Sequence, residues 1–213
     1  MPEGPALAAA HERQVEAALN ADGSITGGFT DKRSGEALSH AVAAYRANPK
    51  NEYVKMIERW VGQSVPGALT TDVETRDASG EFVLKARFAS ERFAQRPQAR
   101  MLIFKAALMS HGDLRLTERT RTYPIVVDAD ALSETVHIRV PSEFRVDELP
   151  DKVEIDSSFG KFRAEWAAEG GSIVFKQTFE MGAQVVPASK YAELRRFLDA
   201  VTGSADTPVV LVK

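Results

Sequence analysis

At 213 residues the chain exceeds the common domain size of about 100 to 150 and accommodates two ordinary domains. A composition of 44% apolar and 27% charged residues, with 11 phenylalanines, suits a chain that buries a core and excludes a disordered polymer. The net charge of −3, with no long basic run, argues against nucleic-acid and polybasic membrane binding, and zero cysteines exclude disulfides, thiolate metal sites and a cysteine nucleophile within these residues.

The opening "MPEGPALAAAHERQ" lacks the basic region and apolar length of an export signal, so any such signal is expected upstream. No later apolar run approaches the roughly 18 residues of a membrane span, and no membrane insertion is expected. Val15, Ala17 and Leu19 alternate with polar residues before "NADG" and "SITGGF", which predicts a hairpin over 13–29. Ser34 is the expected N-cap of a helix carrying Leu38, Ala41, Val42 and Tyr45 on one face. A second helix is expected to start with Asn48 as cap and Pro49 in its first turn, carrying Tyr53, Ile57, Trp60 and Val61.

After Pro66 and Gly67, Leu69, Thr71, Val73 and Thr75 alternate, "DASG" turns, and Phe82, Leu84, Ala86 and Phe88 alternate again: two antiparallel strands. "QRPQ" at 95–98 breaks the pattern, and "RMLIFKAALM" at 100–109 is apolar enough for a central strand. The polar stretch "SHGDLRLTERT" at 110–120 is the expected domain boundary. Beyond it come Val136, Ile138 and Val140, then Phe144 and Val146, then Val153 and Ile155. Phe162, Ala164 and Trp166 follow, and Ile173, Phe175, Phe179 and Met181 share one parity. Ser189 is the expected cap of a last helix with Tyr191, Leu194, Phe197, Leu198 and Val201 on one face, ended by Gly203, and "PVVLVK" is a closing strand. Lys190, Arg195 and Arg196 fall near its polar side. The expected fold is α+β and mostly antiparallel β, with a helix-covered sheet over 13–112 followed by a β-sandwich with one C-terminal helix over 117–213.

Little chemistry follows from these residues. His11, His40, His111 and His137 are scattered without ligand spacing, so structural or solvent roles are expected and no metal. His137 lies on the polar side of its strand, where a metal would need partners from neighbouring strands. Acidic pairs such as Glu148 with Asp151 or Glu165 with Glu169 occur in any chain with 30 acidic residues and read as solvated faces rather than a glycosidase pair. "GSITGG" lacks the lysine and hydroxyl of a phosphate loop and reads as a turn, and no Gly-x-Ser-x-Gly elbow is present. Trp60, Trp166 and Tyr123 are possible carbohydrate platforms, but Trp60 shares a face with Ile57 and Trp166 a parity with Phe162, so both tryptophans are expected in the core. No catalytic residue and no cofactor are expected, and the chain alone is not expected to be an enzyme.

Three stretches together have a familiar order: "LNADGSITGGFTDKRSGEALSHAVAAYR" at 19–46, "RTYPIVVDADALSETVHIRVPSEFRVDELPDKVEIDSSFGKFRAEW" at 121–166, and "VPASKYAELRRFLDAVTGSADTPVVLVK" at 186–213. The marks are Arg121 and Pro124, Val140-Pro141 through Leu149-Pro150, Ser158 to Phe162, and Tyr191 to Lys213. From about residue 19 to 213 the chain resembles the C-terminal region of large bacterial transglutaminase-like proteins, although 50–110 matches only in the arrangement of elements. In those proteins this β-rich tail follows a papain-type Cys-His-Asp core. The resemblance implies a non-catalytic accessory region of an exported or periplasmic protein, whose partner is a transglutaminase-like domain in the same chain or operon. The alternative, from a different class, is an envelope module that binds a peptide or glycan.

Overall fold

The computed structural model describes residues 10–109, 114 and 116–213. His111 and most of the first half of the expected boundary at 110–120 lie outside these residues, as does most of the opening segment.

Two strands, β1 (His11–Leu19) and β2 (Ile25–Ser34), form the expected hairpin. The turn between them needs a positive φ at Gly23, whereas Gly27 and Gly28 of "GSITGG" belong to β2 and are not part of the turn. Gly27 is required by packing: a Cβ there would stand 2.7 Å from the Glu16 carbonyl oxygen and 2.8 Å from the Phe88 ring. Next come α1 (Gly35–Ala47) and α2 (Lys50–Ser64), the expected helical pair. Ser34 holds the N-cap position of α1 without a side-chain capping bond. Asn48 does not open α2. Its side chain donates to the Ala44 carbonyl at the end of α1, and Pro49 takes the N-cap position of α2, because its carbonyl accepts from Glu52 and Tyr53.

Strands β3 (Leu69–Ala78) and β4 (Glu81–Ser90) pair as expected, but a bulge between Thr71 and Glu74 breaks the alternation of β3, and Leu69 is exposed. The apolar run at 100–109 supplies only a five-residue strand, β5 (Met101–Lys105). It is not central. It edges a small sheet, and the following Ala106 to Met109 are buried as irregular chain.

The remainder is β6 (Ile125–Val127), β7 (Asp130–Arg139), β8 (Arg145–Glu148), β9 (Val153–Asp156), β10 (Gly160–Glu169), β11 (Ser172–Met181), β12 (Gln184–Val186), α3 (Tyr191–Ala205) and β13 (Pro208–Val212). Ser189 falls inside a 3-10 turn and makes no cap. Gly203 is passed by α3, which continues to Ala205. The apolar stripe of α3 is buried at every expected position.

Eight strands form one open sheet in the order β3-β4-β2-β1-β7-β11-β10-β9. Strands from both sides of the expected boundary therefore lie in the same sheet, joined where β1 and β7 run parallel. The described fold is α+β, β-rich and mostly antiparallel. Register places Phe82, Phe29, Val15, Val136, Phe175 and Phe162 on one face, which is buried; the opposite face is largely charged and wet, the usual division for an antiparallel sheet. Two covers lie on the buried face. Over β2 and β4, Trp60 of α2 meets Phe29 edge-on at 5.3 Å and Tyr45 of α1 meets Phe82 at 5.6 Å. Over β11, Phe197 of α3 stacks on Phe179, and the small sheet β5-β13-β8 adds Leu102, Phe104, Val209 and Leu211 to the same core. β6 and β12 pair separately as a two-stranded ribbon.

Candidate functional site

The buried face of an interior sheet should be apolar, and along one row it is not. Register sets Asp31 of β2 beside Arg13 of β1, Arg13 beside Glu134 of β7, and Glu134 beside Gln177 of β11. All four are buried. His11 and Arg33 occupy the next row on β1 and β2. Four neighbouring strands thus carry a continuous line of polar side chains at positions whose neighbours are Val15, Phe29, Val136 and Phe175.

Each charge in the row is answered by another. Arg13 Nε donates to Asp31 Oδ2 at 3.0 Å, and its Nη1 donates to Glu134 Oε1 at 3.1 Å. The other oxygen of Glu134 accepts a short bond from the Gln177 amide. Arg33 Nε donates to Asp31 Oδ1 at 2.9 Å. His11 Nε2 stands 2.6 Å from Asp31 Oδ2; a carboxylate only accepts, so that ring nitrogen carries the proton and donates. Above the row, Trp60 lays its ring over the Arg13 guanidinium, 4.8 Å away, an arrangement that favours a desolvated cation.

The electrostatics follow from this pairing. Burial opposes the charge on Asp31, but the His11 hydrogen bond and the guanidinium groups of Arg13 and Arg33 outweigh it and hold the carboxyl well below the usual range. Burial also works against the Arg13 charge, and Glu134 and Asp31 reverse its effect. For His11, burial wins and pushes the ring below its ordinary value despite the pull of Asp31. With His11 neutral, two carboxylates balance two guanidinium groups.

Between this row and the helical hairpin lies a hollow of about 890 Å³, within the usual size of a ligand cavity. His11, Arg13, Asp31 and Arg33 contribute its polar floor, while Tyr53, Met56, Ile57, Trp60, Phe82 and Leu84 supply apolar wall. Two donors there are not consumed by the fold. Arg33 spends Nε on Asp31, and its two terminal amino groups have no hydrogen-bond partner among the described residues. Tyr53 is only 5% exposed, and its hydroxyl likewise has no hydrogen-bond partner among them. Burial pushes that phenol up to about 12, and it feels the charges of Arg33 and Asp31.

The residues weighed from sequence are distributed differently. His11 enters the polar row, His40 lines the hollow from α1, and His137 sits half-buried on the opposite face of the sheet. No group of three potential metal ligands occurs among the described residues. Trp166 packs on Phe175 with ring centroids 5.0 Å apart, whereas Trp60 is both core and cavity wall. Tyr123 is exposed. Glu148, Asp151, Glu165 and Glu169 all stand at the surface apart from the hollow. In α3, Tyr191 is buried and its hydroxyl donates to the Glu118 carbonyl; Arg195 reaches Asp199 and the same carbonyl, and Arg196 reaches the Ala192 carbonyl. The sequence signal for the row was parity: His11 and Arg13 continue the buried alternation of Val15, Ala17 and Leu19, and Glu134 and Gln177 interrupt apolar positions on their own strands.

A mostly antiparallel α+β protein, with a polar row under a hollow helical cover, is the class this fold defines. Residues 100–211, just over half of the chain, match DUF3858, a family described as a domain of unknown function with a solved structure, and the chain belongs to that family. No curated protein and no solved structure matches the chain. No helix among the described residues is long and apolar enough to cross a membrane.

Proposed function

We propose that the chain is a non-catalytic interaction region of an exported, transglutaminase-like protein, packing on or positioning the catalytic domain. In this reading the small sheet β5-β13-β8 and α3 close over the large sheet as a sandwich-like frame. One observation favours an interaction role. On the β6/β12 ribbon Val126 and Val185 are direct cross-strand partners, yet they are 71% and 66% exposed, and Tyr123 nearby is 76% exposed. Apolar side chains grouped in this way suit burial against a partner. The choice of a transglutaminase-like domain as that partner, and the exported setting, come from the resemblance over residues 19–213.

The test pairs the chain with the transglutaminase-like domain of the same chain or operon. Val126→Ser with Val185→Ser is expected to weaken co-elution at least about tenfold while leaving the melting temperature unchanged. Co-elution unaffected by the pair of substitutions would move the interface elsewhere. The purified chain alone is expected to give no acyl-transfer, peptidase or glycosidase turnover above buffer. Turnover abolished by one Ser or His substitution would overturn the non-catalytic reading.

A second reading, a module that binds a peptide or glycan, is favoured by the hollow beneath the hairpin and by the uncommitted donors of Arg33 and Tyr53.

A further inference from the structure

The second reading of the hollow can be taken to a ligand class. Its floor is already neutralised within the row, so the groups left to recognise a ligand are those the row does not use. Arg33 is held by Nε on Asp31, which fixes the plane of the guanidinium while its two terminal amino groups have no partner among the described residues. A guanidinium anchored at one edge presents a planar fork matched to a carboxylate. Tyr53 lines the same hollow as Arg33. Its hydroxyl makes no hydrogen bond among the described residues and is not one of the fully buried polar atoms, so it meets the solvent of the hollow, where a ligand oxygen can take the place of water.

A simple anion does not fit the remainder of the lining. The row is neutral within itself, and Glu36 and Asp128 border the hollow outside it, so negative charge is in excess there. Glu36 lies in the first turn of α1, three residues after Arg33, and is exposed; Asp128 lies between β6 and β7. This excess of negative charge disfavours a ligand with only a carboxylate. A purely cationic ligand leaves the Arg33 fork unused. Between the poles the wall is apolar and aromatic, from Tyr53, Met56, Ile57, Trp60 and Phe82.

We infer that the hollow binds a zwitterionic, apolar ligand of the short-peptide class, its carboxylate on Arg33 and the Tyr53 hydroxyl and its ammonium toward Glu36 and Asp128. This assignment rests on reading the hollow as a ligand site. The charge pattern favours a peptide over a glycan, because a neutral sugar would use neither pole.

The probe is the dipeptide phenylalanyl-leucine, titrated calorimetrically into the full chain beside its N-acetylated form, its C-terminal amide and an N-acetylglucosamine trimer. Binding of the free dipeptide is expected, with each capped form at least about tenfold weaker, as loss of a charge-assisted contact implies. Arg33→Lys keeps a charge for Asp31 but removes the fork, and is expected to weaken binding by about tenfold with little change in melting; Tyr53→Phe is expected to weaken it by a smaller factor. Trp60 and Trp166 are the only tryptophans, so in a Trp166→Phe background the emission should shift on binding, since Trp60 lines the hollow. Binding of the sugar alone would overturn the peptide assignment and keep the ligand site. Binding insensitive to Arg33→Lys, or to both caps, would overturn the assignment of the poles. No binding of any probe would overturn the site reading with it.

Discussion

The two covers on the buried face of the sheet solve the same problem differently. α3 commits Tyr191, Leu194, Phe197, Leu198, Val201 and Ser204 to the interior and stacks Phe197 on Phe179. The helical hairpin buries far less: Ala41 from α1, and Tyr53, Ile57 and Val61 from α2. Beneath it the sheet presents the charged row beside Phe29, Phe82 and Leu84, and a hollow remains. A cover that packs a continuous apolar stripe onto the sheet works as structure, even with a second hollow of about 730 Å³ beside its C-terminal turn. One that spans a neutralised polar floor leaves room for a ligand and meets that floor through Trp60 over Arg13.

That contrast can be broken most severely on the packed side. Deleting Thr207 to Lys213 removes β13, the strand between β5 and β8, with the fully buried Val209 and Leu211. Those two side chains contribute about 1.5 to 3 kcal/mol each, and both neighbouring strands lose their pairing, against a typical total of about 5 to 15 kcal/mol. The truncated chain should melt far below the parent or fail to fold, as followed by circular dichroism. Melting like the parent would mean that this cover is dispensable.

On the hollow side the largest effect expected is from Arg13→Ala. It leaves Asp31 and Glu134, both essentially without solvent, facing each other's charge with their shared cation gone. Breaking a buried pair in this way costs about 3 to 5 kcal/mol. The joint replacement Arg13→Met, Asp31→Leu and Glu134→Leu should cost less than the single change in denaturant unfolding, because no fully buried charge remains and Arg33, which loses Asp31, is partly exposed to solvent. A triple variant worse than Arg13→Ala would give the row a role that its mutual pairing does not explain.

Acid should find the same floor. The folded state holds His11 below its ordinary value, so its contribution is full above about pH 6.5 and is lost as pH falls through the unfolded value toward the folded one. Asp31 is also lowered, and its contribution begins to disappear only below about pH 4. Both run in one direction. Melting temperature should therefore fall from pH 7 to pH 5 and again below pH 4, and His11→Gln should remove the first decline. A rise between pH 7 and pH 5 would contradict the sign.

The smallest effect is expected at the polar side of α3. Arg195 and Arg196 make exposed or partly exposed contacts with Asp199 and with backbone carbonyls, worth little once solvated. Replacing both by Ala should shift stability by less than about 1 kcal/mol in a thermal melt. A larger loss would show that the Arg195 contact to the Glu118 carbonyl holds the chain before β6 in place.

The sequence made the packed cover legible and the hollow one only in outline. In α3 the apolar residues repeat at helical spacing with nothing polar among them, and in β11 Ile173, Phe175, Phe179 and Met181 declare the buried parity. The polar row used the same parity with the wrong chemistry. His11, Arg13, Asp31, Glu134 and Gln177 were unremarkable one at a time, because each answers to a residue on another strand. The parallel pairing of β1 with β7 was illegible for the same reason, since periodicity sets which face a strand buries and says nothing about which distant strand lies beside it. Asn48 and Ser189 show the limit at helix ends, where a capping residue type can equally finish the preceding turn.

The hairpin covers a charged, ligand-sized space whereas α3 packs an apolar stripe, a difference that amide hydrogen exchange with and without phenylalanyl-leucine resolves. α3 should exchange slowly in both states, whereas α1 and α2 should exchange faster in the free protein and gain protection when the dipeptide is added. Protection of α2 equal to that of α3 in the free protein, unchanged by the dipeptide, would contradict it.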